Sequence, residues 1–240
     1  MQPTQPLSTF VSGGTNMAVG YGSLLVADED GEHLPNPPPD PSKAYFYLVF
    51  ADQLPSTTAG VCGGAPCMGV ARARYDHVIH AALSGNPDEV AKVFHKYDAS
   101  SHPWSQPATS DTADLSGTAG SFAPLWTDEY SPGGSVIYDR DYNVYLAVYQ
   151  LLNENGVHVR ASRDLIHWTG TIATIAFPSS PAAIYYYPTL IGDTKDPTIG
   201  GPMPRVYFSS FPVDGFPNYT LATFEYVPLG LTGTKHGCAP

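Results

Sequence analysis

Basic residues are scarce in this chain: 11 Lys and Arg stand against 22 Asp and Glu in 240 residues, a net charge of −11. No cluster of them occurs anywhere. A surface of that sign repels phosphate backbones and anionic bilayers, which excludes nucleic acid and charge-driven membrane contact. Charged residues of both signs reach only 14%, so Ser, Thr, Asn, Gly and Pro must supply the polar surface. Long apolar runs are missing as well. None approaches the roughly 20 residues that a membrane-crossing helix needs. The opening Met1-Gln2-Pro3-Thr4-Gln5-Pro6 lacks the basic start and apolar centre of a secretory leader. A secreted or extracellular setting is still the favoured expectation.

Cysteine is rare, with 3 in the chain. Cys62 and Cys67 lie in the loop Gly60-Val61-Cys62-Gly63-Gly64-Ala65-Pro66-Cys67, where a small disulfide or two reduced thiols are both open readings. Cys238 reads as a free thiol. A lone C-x4-C pair falls short of the four ligands zinc takes. The sequence has no H-E-x-x-H, no G-x-S-x-G elbow and no phosphate-cradling Gly-Lys-Ser/Thr loop, so zinc-hydrolase, serine-esterase and nucleotide-hydrolase readings fall away. No cofactor is expected.

What the chain does have is β punctuation: 24 Pro, 23 Gly and 16 Tyr within a composition that is 42% hydrophobic. One pattern recurs. Gly22-Ser23-Leu24-Leu25-Val26-Ala27-Asp28 is followed by Tyr45-Phe46-Tyr47-Leu48-Val49-Phe50 and then Gly69-Val70-Ala71-Arg72-Ala73. Gly134-Ser135-Val136-Ile137-Tyr138-Asp139 is followed by Val144-Tyr145-Leu146-Ala147-Val148-Tyr149 and then Gly156-Val157-His158-Val159-Arg160-Ala161-Ser162. A looser copy runs Pro188-Thr189-Leu190-Ile191-Gly192-Asp193, Arg205-Val206-Tyr207-Phe208-Ser209 and Tyr219-Thr220-Leu221-Ala222-Thr223-Phe224. Repeats of a few short strands predict an all-β fold of β-propeller type, with about three recognisable blades. The blades are expected at about 17–74, 131–174 and 185–231 of a domain spanning 17–231. An extended segment, 1–16, precedes it and a flexible tail, 232–240, follows it.

Residues 76–98 break the β pattern. Asp76 caps an expected helix from His77 to Leu83, and Asn86-Pro87-Asp88-Glu89 starts a second, with Val90, Val93, Phe94 and Tyr97 at helical spacing. A small helical insert is therefore predicted. The long stretch Ser100–Tyr130 reads as a loop carrying Trp104 and Trp126, and loops of that length are often functional.

Ala161-Ser162-Arg163-Asp164-Leu165-Ile166-His167-Trp168 resembles the S-x-D-x-x-x-W phrase of the five-bladed β-propeller glycosidases, the arabinanase, xylosidase and invertase group. Val136-Ile137-Tyr138-Asp139 with Tyr145-Leu146-Ala147-Val148-Tyr149, and Tyr186-Tyr187-Pro188-Thr189-Leu190 with Val206-Tyr207-Phe208-Ser209, look like its inner and second strands. The resemblance runs from about Met17 to Leu231. It implies glycoside hydrolysis in an axial cleft, with a carbohydrate as partner. Two departures accompany it. Three copies are visible where the family has five, so a truncated propeller that closes by self-association through exposed sheet edges is an open reading. The family also sets acids early on its inner strands. Here those positions read Tyr21-Gly22-Ser23, Gly134-Ser135 and Tyr187-Pro188-Thr189, so no catalytic triad carries over.

Glycoside hydrolysis usually needs two carboxyl groups across the scissile bond. Asp128 and Glu129, just before the second repeat, are the first candidates, and Asp52, ending the second strand of the first repeat, is the third. Trp126, Tyr21, Tyr187 and Arg160 are candidates for sugar contact. The competing reading makes Asp128 and Glu129 solvated loop acids and Trp126 a packing residue. Arg72 and Arg160 occupy matching places in two repeats, which favours a structural role for both. Asp28, Glu29, Asp30, Asp139 and Asp141 fit hairpin turns, with calcium as the secondary reading. A non-catalytic carbohydrate-binding or interaction propeller is the alternative function.

Overall fold

The computed structural model describes residues 20–52, 67–107, 122–129, 134–151, 154, 156–177, 183–212 and 223–230. The expected segments 1–16 and 232–240 lie outside these, as do Cys62 and Cys238. The chain forms two compact units, the first Met1–Gly133 with Asp164–Ile166, the second Gly134–Arg163 with His167–Pro240. The fold is all-β with blade-like sheets and a small helical insert, as the repeats predict.

In the first unit, strands β1 (Gly20–Ala27), β2 (Tyr45–Asp52), β3 (Cys67–Arg74), β4 (His95–Lys96) and β5 (Gln106–Pro107) form one sheet in the order β1-β2-β3-β4-β5, each pair antiparallel. Strand alternation sends Phe46, Leu48, Phe50, Ala71 and Ala73 to one face, where they pack with Val78, Phe94 and Phe122. The other face carries Tyr45, Tyr47 and Arg72. Helix α1 (Tyr75–Leu83) lies against the core through Val78 and Ala81, and Tyr75 stacks on Phe46 at 4.5 Å. Gly31 has φ +84°, and a Cβ there would stand 2.3 Å from the carbonyl oxygen of Asp164, so this turn admits only glycine. Cys67 is disulfide-bonded.

The helical insert differs from expectation at both ends. Helix α1 begins at Tyr75 with Arg74 as N-cap and no side-chain cap. Asp76 sits inside the first turn, where its carboxylate accepts from Arg74 Nη2 at 2.7 Å and from the His77 amide at 3.0 Å. Helix α2 covers only Pro87–Lys92. Val93, Phe94 and Tyr97 keep helical spacing, but β3 offers an open edge. Lys96 pairs with Ala71, and the Tyr97 amide donates to the Val70 carbonyl at 2.9 Å. Backbone pairing in the sheet replaces the last helical turn.

In the second unit, β6 (Gly134–Asp139), β7 (Val144–Tyr149), β8 (Gly156–Ser162) and β9 (Ala173–Ala176) form a meander. A short strand, β11 (Ile199–Gly200), joins its far side parallel to β6, giving the order β9-β8-β7-β6-β11. A third sheet has the order β10 (Ala183–Ile191), β12 (Arg205–Pro212), β13 (Thr223–Pro228). The expected third run began at Tyr219; residues 219–222 lie outside the described ones, and β13 extends to Pro228. The two sheets share a core of Ile137, Leu146, Val148, Val157 and Val159 against Tyr185, Leu190, Val206 and Phe208. Polar ties cross the same seam. Ser135 Oγ donates to the Leu190 carbonyl at 3.3 Å, and Gln150 Nε2 to that of Tyr185 at 2.9 Å.

Candidate functional site

Two inner strands break register at the same place. On β1, Gly20 pairs with Ala51 and Ser23 with Val49, so Tyr21 and Gly22 stand opposite the single residue Phe50. On β10, Tyr186 pairs with Ser209 and Thr189 with Tyr207, so Tyr187 and Pro188 stand opposite Phe208. Phe50 is fully buried and Phe208 is 1% exposed. Each is a two-against-one bulge over a core aromatic, a device that re-aims a side chain beside a functional site. These are the positions at which the resemblance places the family's acids. The chain holds tyrosines there instead.

Tyr187 has φ +60°, inside a strand and directly before proline. Bulky residues avoid that region, and the residue before proline prefers extended backbone. Such strain costs on the order of 1–3 kcal/mol and persists where surrounding structure enforces it. The ring is half-buried and meets Phe211 edge-on at 6.3 Å. The side chain of Tyr21 lies outside the described ones.

The segment carrying the expected acids is pinned to the first sheet. The Ala123 amide donates to the Tyr97 carbonyl at 2.8 Å, and the Leu125 amide to that of Met68 at 2.9 Å. Phe122 packs on Phe50 at 5.3 Å and closes against Gly69, where a Cβ would lie 2.6 Å from its ring. Beyond this anchor Asp128 is exposed and Glu129 half-buried. Trp126 is 6% exposed, so its ring stands within the packed part of the first unit. The side chain of Asp52 lies outside the described ones.

Arg160 is 2% exposed. Its Nε donates to Tyr149 Oη at 2.7 Å and its Nη1 to the Thr169 carbonyl at 2.9 Å. Both of these hydrogen bonds lie inside its own blade. Arg72 donates to the Glu29 carbonyl at 2.8 Å and to Tyr47 Oη at 3.2 Å, with its plane between the rings of Tyr45 and Trp104, 4.6 and 4.3 Å from their centroids. This ties Trp104, from the long loop, to the first sheet. In the sequence only its place in an unusually long loop marks that residue, which is not among the site candidates. Burial pushes the Tyr47 hydroxyl up to about 12, against the opposing pull of Arg72.

The hairpin acids form turns. Asp28 Oδ1 accepts from the Asp30 and Glu32 amides at 3.0 and 2.8 Å. Asp139 Oδ1 accepts from those of Asp141 and Tyr142 at 3.0 and 3.1 Å. Among the described residues, no group of three His, Cys, Asp or Glu side chains is disposed to hold a metal ion.

No protein-family model matches the chain, and no curated protein matches its sequence. Among solved structures it is similar to a "putative glycosidase" from Bacteroides thetaiotaomicron, with a TM-score of 0.44 and 12% identity over 92% of this chain and 54% of that one. It is also similar to an exo-inulinase from Aspergillus awamori, with a TM-score of 0.41 and 12% identity over 90% of this chain and 37% of that one. The chain therefore spans about half or less of these proteins' lengths. At TM-scores under 0.5, neither likeness argues for an activity here.

Proposed function

We propose that this chain is a glycoside hydrolase-like protein that takes an oligo- or polysaccharide at the ends of its inner strands. The observation that carries the reading is the strained bulge at Tyr187, repeated in outline at Tyr21. A bulge at a matching point of two blades, strained at Tyr187, supports a ligand position there. At the second unit's bulge the residues are a phenol and hydroxyls: Tyr187 and Thr189 on β10, with Ser135 on the adjoining β6. A neutral polyol that stacks on rings and trades hydrogen bonds with hydroxyls fits this set. In this reading Asp128 and Glu129 are the paired carboxyls and Asp52 their helper, while Trp126 and Arg160, both buried, brace their own units.

A specific observation favours a second reading, a carbohydrate-binding protein without catalysis. Gly134-Ser135 and Tyr187-Pro188-Thr189 carry no carboxylate where the inner strands begin. Hydrolysis of a panel of aryl glycosides, with Asp128→Asn and Glu129→Gln alongside, separates the two. Turnover by the intact chain that drops at least a hundredfold in either folded variant supports hydrolysis. Sugar binding with no turnover supports the second reading. Self-association through β13, which ends its sheet among the described residues, belongs to the same proposal, and light scattering tests it.

A further inference from the structure

Asp139 ends β6 fully buried. Its Oδ1 is used twice by the turn, whereas Oδ2 is buried and accepts no hydrogen bond. What covers Oδ2 is the segment 192–201, which leaves β10 and lays β11 along β6. A Cβ at Gly200 would stand 3.1 Å from that oxygen. This strap is fixed by the Tyr138 amide donating to the Thr198 carbonyl at 2.9 Å and the Arg140 amide to that of Gly200 at 3.3 Å.

The charged groups around the carboxyl do not neutralise it. Asp141 lies on its own turn, paired loosely with Arg140 at 3.8 Å. Asp193 lies on the strap, its oxygens taken by the amides of Gly201 and Met203 and its charge favoured by Arg140. Lys195 and Asp196 follow along the strap, the Asp196 carboxylate accepting from Thr198. On β7, the phenol-bearing Tyr145 is the near titratable neighbour, two residues beyond the turn. Burial, with the charges of Asp141 and Asp193, pushes the Asp139 carboxyl up despite the two amides. A divalent cation would also answer an orphaned oxygen, but no three-ligand group exists among the described residues.

We propose that Asp139 is a proton-operated latch: carried protonated, it holds the β11 strap on β6, and its ionisation loosens that strap. On losing the proton to water, Oδ2 becomes a buried charge facing the Gly200 backbone, with two carboxylates nearby and no donor. Because the folded form binds the proton more tightly than the unfolded one, the stabilisation is present in full below the ordinary carboxylate range. It is lost as pH rises through the elevated value in the folded chain.

Unfolding midpoints of the intact chain, Asp139→Asn and Asp28→Asn across pH 4.5 to 7.5 test this. Asparagine keeps the Oδ1 acceptor and imitates the protonated group. Asp139→Asn is expected to melt higher than the parent at pH 7.5, by about 3 °C, with the gap closing to under about 1 °C at pH 4.5. Asp28→Asn shows no such convergence. Hydrogen exchange on the unmodified chain gives an independent readout. Protection of the Tyr138 and Arg140 amides should fall several-fold more between pH 4.5 and 7.5 than that of the Val148 amide in the neighbouring strand. A pH-independent gap, or protection that changes equally at all three amides, overturns the latch. Stabilisation of the parent by calcium chloride at pH 7.5 that Asp139→Asn abolishes also overturns it, because the occupant would then be a cation.

Discussion

The first and second sheets are built on the same plan and put it to different uses. Counted back from the hairpin, Ala27 pairs with Tyr45 as Tyr138 pairs with Tyr145, and Tyr47 pairs with Arg72 as Ala147 pairs with Arg160. Asp28 and Asp139 then fall on the same turn position, as do the two arginines on the third strand. Arg72 reaches toward the hairpin, to Glu29 and Tyr47, and lies between two rings with its side chain 12% exposed. Arg160 turns the other way, to Tyr149 and Thr169, and is closed from solvent. Asp28 is half-buried, whereas Asp139 is sealed by a strap from the next blade. The repeat sets where a group stands. The cover supplied by neighbouring elements decides what it does.

The largest effects should come from the aromatics beneath the two bulges. Phe50→Ala and Phe208→Ala should each cost about 3–5 kcal/mol in urea unfolding, since both rings are closed in core. If the bulges are equivalent, the two losses agree within about 1 kcal/mol; a loss confined to one site ends the equivalence. Next comes the arginine pair. Arg160→Met, which removes a buried donor from Tyr149 Oη and from the Thr169 carbonyl, should lose about 3 kcal/mol, and Arg72→Met about half that because water reaches its site. Equal losses would erase the distinction between them.

Tyr47 gives the same contrast as a titration. Its hydroxyl stands near 12, raised by burial. The resulting stabilisation, about 2–3 kcal/mol, is present below the ordinary tyrosine value near 10 and is lost as pH climbs through about 12. An absorbance titration should show phenol ionisation coupled to unfolding, and Tyr47→Phe should weaken the pH dependence of stability above pH 10. The smallest change in stability is expected for Tyr187→Gly. Relief of the positive φ, about 1 kcal/mol, offsets the lost contact with Phe211 and leaves stability within about 1 kcal/mol of the parent.

The sheets were legible because local pattern sets them. Gly134–Asp139, Val144–Tyr149 and Gly156–Ser162 form strands with the bounds their alternation predicts. What depends on distant partners was not legible. Strand β11 is two residues of a Pro- and Gly-rich turn, and it forms by pairing with Tyr138 and Asp139 of β6. The bulge at Tyr187 has no signature beyond a Tyr-Pro step. Val93, Phe94 and Tyr97 read as helix because their spacing allows it, yet the edge of β3 takes His95 and Lys96 between them. The acids remain the least legible part of the candidate site, since two adjacent carboxylates on a loop look alike whether they meet a substrate or water.

Calorimetric titration of neutral oligosaccharides into the intact chain and into Tyr187→Gly tests the central claim most directly. Saturable binding of at least one sugar is expected, weakened about tenfold, or about 1.4 kcal/mol, in the equally stable variant. Failure of every sugar to bind the intact chain, or undiminished binding by Tyr187→Gly, would contradict it.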